Sequence, residues 1–279
     1  MKFITSLLLL MSLLCCGCSG SDSSEKDRLR QLNQKGEFIY RVADEYLFVP
    51  PAPLPQLQQP YPWEIGLNGK HPKITKEFFR CKGSSLNSPV TLQNSSEMER
   101  HFDCGGSEKH SLPLSEGKEF IYPILMDLLN YLQTKKGKRV VITCGHRCPE
   151  HNLYSDPFPS NQYSKHMLGA EVSFYVQGME ECPEEVVKNI QAYYKENSTY
   201  AAQKEFTDFQ RWEKNDTNVT TLPWYNKEIF IKLFKKKEGR NFDNRHPYPY
   251  ISIQVRYDRQ TGQKVVYSWQ QANQNFLRK

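Results

Sequence analysis

Residues 164–174 read SKHMLGAEVSF, a loop that carries a histidine and runs into a strand. His166 is placed as a metal ligand, and a carboxylate at position 173 would give the metal its second donor. The residue there is Ser173. A neutral hydroxyl is a poor zinc ligand beside imidazole, carboxylate or thiolate. Glu171 stands two positions earlier, and residues two apart on a strand share a face, about 6.5 to 7 Å from one another. His166, Glu171 and one of His146 or His151 therefore make an alternative ligand set. Cys144, His146, Cys148 and His151 make a second, with donors that suit zinc but without the usual C-x-x-C spacing. Each residue also has a plainer reading. His166 would be a hydrogen-bonded loop residue, and Arg147 would pair with Glu150 or Glu171. Ser252 and Gln254 alternate with Ile251, Ile253 and Val255, as the exposed face of a half-buried strand does.

These residues need elements to hold them. Ser115 caps a helix that runs to Lys136, with Phe120, Ile124, Leu128 and Leu132 four apart and Gly137 ending it. A strand over 139–144 follows, then a long loop over 145–169, then a strand over 170–176. Residues 84–96 read as a polar loop. Pro183, Glu184 and Glu185 begin a second helix, with Val186, Val187, Ile190, Tyr193 and Tyr194 as its apolar stripe. Residues 226–240 read as a third helix with lysines at its C-terminal end. The chain closes with a strand over 248–258, a turn at 259–262 and a hairpin partner over 263–269.

The amino terminus bears on location. Lys2 precedes an apolar run, Phe3–Leu14, that is too short to span a membrane and is followed by small residues and cysteines, as in a cleaved secretory signal. It resembles a bacterial lipoprotein signal, in which Cys18, after Gly17, is the acylated residue. The proline-rich stretch 49–62 reads as a semi-rigid polyproline tether, and the folded domain begins near Trp63. A chain that is 38% apolar and 13% aromatic can bury a core. Its net charge of +6 is mild and spread out, and gives no reason to expect nucleic acid. Removing the signal leaves Cys81, Cys104, Cys144, Cys148 and Cys182, an odd number in a disulfide-permissive compartment. The expected pairs are Cys81 with Cys104, and Cys144 with Cys148 or Cys182.

The order of 78–83 (FFRCKG), the helix, 141–152 (VITCGHRCPEHN), 164–169 (SKHMLG) and 248–255 (YPYISIQV) resembles the zinc D-Ala-D-Ala carboxypeptidase family, whose fold is shared with the amino-terminal domain of Hedgehog proteins. Thr143, Gly145, Arg147, Pro149, Glu150, His151 and Asn152 match one family segment, and Ser164, His166 and Gly169 match the S-x-H-x-x-G part of another. The resemblance implies an α+β fold, an antiparallel sheet flanked by helices, interrupted by a helical insertion at about 177–248. It implies a zinc held by two histidines and an aspartate, a zinc-bound water activated by a carboxylate base, and an arginine for the substrate carboxylate or oxyanion. Here His166 keeps the first ligand position, Ser173 replaces the aspartate, Ser252 the second histidine and Gln254 the acid after it. The expected protein is a lipid-anchored domain on the cell envelope, facing the periplasm or cell wall. Its groove of Arg147, Glu171, Ser173, Ser252 and Gln254 binds peptidoglycan peptides or an envelope partner without catalysis. It needs no cofactor, zinc being the one its ligand sets could take. Ser19 would suit outer-membrane sorting. The alternatives are an active zinc peptidase with displaced ligands, and a scaffold acting through the insertion.

Overall fold

The computed structural model describes residues 28, 71–94, 97–156, 164–214 and 216–278. The signal segment, Cys18 and the proline-rich tether lie outside the described residues. The chain divides into two units, Met1–Gln59 and Pro60–Lys279, and every described residue except Arg28 belongs to the second.

A short 3₁₀ turn, Lys76–Phe79, is followed by a hairpin of β1 (Val90–Asn94) and β2 (Glu97–His101), with β1 inside the stretch that the sequence reading had as a loop. The small hairpin β3 (Leu114–Ser115) and β4 (Lys118–Glu119) takes the place of the expected first helical turns. Ser115 is therefore not a cap. Glu116 and Gly117 both have positive φ and turn the chain tightly, and helix α1 begins only at Pro123 and runs to Lys136. Proline lacks the amide that a helix interior needs and is pre-set for the first helical position. Gly137 ends α1 in the left-handed conformation, as expected.

Next come β5 (Val140–Cys144), helix α2 (Pro149–Ser155), a 3₁₀ turn (Lys165–Leu168), β6 (Glu171–Val176) and helix α3 (Pro183–Glu196). A short helix α4 (Lys204–Thr207) leads to β7 (Gln210–Arg211), β8 (Trp224–Tyr225), β9 (Ile229–Phe234) and β10 (Tyr250–Val255). The hairpin β11 (Tyr257–Asp258) and β12 (Gln263–Lys264) and helix α5 (Trp269–Gln274) close the chain.

One sheet of six antiparallel strands, in the order β5-β6-β10-β9-β8-β7, organises the molecule. The fold class is thus mixed helix and sheet. Residues 177–248, set apart in the sequence as a helical insertion, supply three of these strands. In particular, 229–234 is a strand and not part of a helix. Ile229, Ile231 and Leu233 are fully buried while Phe230 and Lys232 face the other way, which is the period of two that a strand requires. Lys235–Lys237 lie beyond this strand, so the lysines do not serve a helix C-terminus.

The sheet sorts its two faces by register. Ile251 stands between Phe174 and Leu233, and Ile253 between Val172 and Ile231; all six are buried in the core. Helix α1 packs on β5 and β10, and α3 on β6 and β9, with Leu125, Leu128, Leu129 and Leu132 of α1 at zero exposure. Burying each such leucine is worth about 1.5–3 kcal/mol. On the opposite face the rows are mostly polar: Ser173, Ser252 and Lys232 lie side by side, as do Glu171 and Gln254, with Phe230 at the end of that row.

Candidate functional site

The polar face of the sheet floors a pocket of about 510 Å³. Its lining includes Arg147, Lys165, His166, Glu171, Ser173, Lys232, Arg240, Ser252 and Gln254. Positions 166, 173 and 252, from three separate segments, meet here, and Ser173 and Ser252 are direct cross-strand partners. This face is not the open one that the alternation of Ser252 and Gln254 suggests: Ser252 is 1% exposed.

Glu171 is the central anion. Its Oε1 accepts from Ser252 Oγ at 2.5 Å and from Gln254 Nε2 at 3.0 Å, and His166 Nε2 lies 3.8 Å away. Burial works against its charge, but the fields of His166 and Lys232 and the two hydrogen bonds outweigh it and bring its pKa to about 2. His166 is buried, which lowers its pKa, while the charge of Glu171 works in the opposite direction. Its Nδ1 donates to the Gly145 carbonyl at 2.6 Å, which leaves Nε2 on the side of Glu171. Cys144 Sγ lies 3.4 Å from His166 Nδ1. The pair is no thiolate–imidazolium nucleophile, because that ring proton is already given to Gly145 and burial pushes the thiol well up.

Neither ligand set considered for zinc in this region forms. Among the described residues no third ligand joins His166 and Glu171 in a metal-holding group. His146 Nδ1 donates to the His166 carbonyl at 3.2 Å, and burial brings its pKa to about 3. His151 has both ring nitrogens on carboxylates, Asp103 at 2.6 Å and Asp243 at 3.0 Å. The set of Cys144, His146, Cys148 and His151 is split: Cys144 faces His166, and Cys148 joins Cys81, Cys104 and His110. Those four residues, and the group Asp103, Cys104 and His151, are the clusters that could hold a metal ion among the described residues.

The expected disulfides are also absent. Cys81, Cys104, Cys144, Cys148 and Cys182 are free thiols. Cys81 and Cys104 are neighbours as anticipated, but their sulfurs stand 3.8 Å apart, well beyond the S–S bond of about 2.05 Å. Cys182 sits at the start of α3, half-buried against the main core.

Arg147 is the largest departure from expectation. Its Nε donates to Asp243 Oδ2 at 2.8 Å, and its Nη2 is 2.7 Å from the same oxygen, with both side chains buried. Its partner is neither Glu150 nor Glu171, and its charge is already balanced. Burial disfavours ionised Asp243, but Arg147 and His151 overcome this and hold it well below the usual carboxylate range. Asp243 is brought here by the loop 235–248, which Arg240 ties together by donating to the carbonyls of Lys235, Lys236, Asn244, His246 and Tyr248. Sequence reading missed Asp243, Asp103, His110, Lys232 and Arg240. An acid in a polar loop carries no period, and only DCG at 103–105, an acid beside a cysteine and a glycine, was a local hint.

Gly145 connects the two halves of the site. A Cβ here would lie 2.5 Å from Phe79 Cα, so only glycine allows the 76–79 turn to pack on the 144–147 segment. His146 N–H then bonds the Phe79 carbonyl at 2.6 Å.

No protein-family model, curated protein or solved structure matches this chain.

Proposed function

We propose that the chain is a degenerate domain of the zinc D-Ala-D-Ala carboxypeptidase type, and that its groove binds a peptide of the cell wall without cleaving it. The observation that supports this reading best is the meeting of His166, Ser173 and Ser252 in one polar pocket. They are the three positions where the family pattern has metal ligands, and two of them are hydroxyls. A carboxyl-terminal anion suits a pocket lined by Arg147, Lys165, Lys232 and Arg240 against Asp156 and Glu171. Arg147 is held by Asp243, Lys165 donates to the Val255 carbonyl at 3.2 Å, and Arg240 is spent on its loop. Lys232, whose ammonium meets only Asn218 at 3.5 Å and the Phe234 ring at 5.3 Å, is the least committed cation and takes over the role first given to Arg147. Lys165, Asn218, Lys232 and Gln254 also line an adjoining hollow with Trp212, Phe230 and Arg256, which gives an extended ligand room to continue. In this reading Cys18 carries the lipid that keeps the domain at the envelope membrane.

The test is calorimetric titration with a purified muropeptide ending in D-alanine. Binding is expected, with a loss of about tenfold or more in Lys232→Ala, the worth of one charge-assisted hydrogen bond. The absence of binding to any cell-wall peptide would sink the reading. A second expected outcome concerns the ligand positions. Ser173→Asp combined with Ser252→His should gain zinc in the groove, and His166→Ala in that background should remove that zinc alone.

A further inference from the structure

The four buried side chains of Cys81, Cys104, His110 and Cys148 lie outside the groove and take no part in the function proposed for it. One donor atom from each falls within 4.8 Å of every other. We infer that these residues form a structural zinc site of three thiolates and one imidazole.

The geometry matches the metal. Sulfurs bound to tetrahedral zinc at about 2.3 Å stand about 3.8 Å apart. Cys81 and Cys104 are 3.8 Å apart, which is far too long for a disulfide and right for two corners of that tetrahedron. His110 supplies an independent sign. Its Nδ1 donates to the Ser111 carbonyl at 3.2 Å, which leaves the lone pair on Nε2, and Nε2 is buried with no well-formed hydrogen bond, the ring lying against the Cys104 sulfur. A metal ligand is fixed in this way, by a backbone acceptor on the other ring nitrogen. Cys148 Sγ also accepts a backbone amide, His151 N–H, at 3.4 Å, a contact that favours the thiolate form zinc requires. Gly83 clears the space, since a Cβ there would meet Cys104 Sγ at 2.1 Å. Phe276 seals the cluster from the carboxyl-terminal end of the chain.

The other group, Asp103, Cys104 and His151, does not compete, because both nitrogens of His151 are already bonded to carboxylates. One disulfide among three cysteines would still leave the third thiol and the His110 Nε2 buried. All four ligand positions are filled by protein, which is the pattern of a structural and not a catalytic zinc. The ion would staple the segment after the 76–79 turn, the segment after β2 and the start of α2.

The test uses the full chain, purified without chelator. Elemental analysis should give near one zinc per chain, strongly reduced in Cys104→Ser and unchanged in His166→Ala. Cobalt(II) exchanged into the native protein should show thiolate-to-metal charge transfer in the near ultraviolet and the visible bands of a tetrahedral ion. His110→Cys should retain the metal with an altered cobalt spectrum, which separates loss of a ligand from loss of folding. No metal in the native protein, zinc lost in His166→Ala but kept in Cys104→Ser, or a disulfide joining two of Cys81, Cys104 and Cys148 would each overturn the assignment.

Discussion

Asp243→Ala should lower the unfolding free energy by about 3–5 kcal/mol, the usual cost of leaving buried charges without their partner. The carboxylate sits between Arg147, His151 and Ser155, with its side chain 3% exposed. Its removal strands the Arg147 guanidinium, itself 4% exposed, and breaks one of the two bonds of His151. Asp243→Asn should cost less, because the amide keeps one acceptor. Paired urea unfolding curves for the native chain and both variants check the order. Equal midpoints would mean that the network contributes nothing.

Stability should also fall as pH rises from about 6.5 through about 9, with a total loss of roughly 3 kcal/mol. The group responsible is His151. Burial opposes its charge, but hydrogen bonds to Asp103 and Asp243 and their negative charges raise its pKa from 6.5 to about 9. A pKa raised on folding stabilises fully below the unfolded value and fades as pH passes the folded one. The groups facing it are Asp103, Asp243, the Tyr154 ring stacked at 6.2 Å, and Cys148 against its amide. The measurement is the difference in unfolding free energy between the native chain and His151→Gln from about pH 6 to about pH 10, so that titrations elsewhere largely cancel. A difference that does not narrow with pH would show that His151 is not a protonated bridge.

The network explains why Arg147 could not be understood from its neighbours in the chain. Glu150 was the obvious partner by proximity, yet Arg278 bonds Glu150 at 2.5 Å, and Arg147 reaches 96 residues along the chain to Asp243. A buried guanidinium needs a buried anion, and the fold supplies one on a loop fastened by Arg240. The mistaken helix over 226–240 has a related cause. A short apolar run with lysines fits either period, and β-branched Ile229 and Ile231 are the better guide. Pairing with β8 and β10 then completes a strand that has no stability alone.

By itself the sequence determined what depends on local period and backbone chemistry. Alternation in 171–176 and 250–255 assigns Glu171, Ser173, Ser252 and Gln254 to one face, and Pro183 and Gly137 mark a helix start and a helix end. The tertiary structure alone decided which faces meet. It paired Ser173 with Ser252, covered them with the 235–248 loop, gave Asp243 to Arg147 and His151, and brought His110 and Cys148 to the pair Cys81 and Cys104. The physical reason is that charge pairing and sulfur–imidazole clustering have no period along the chain. Their partners are chosen by burial, which only the folded sheet and its loops create.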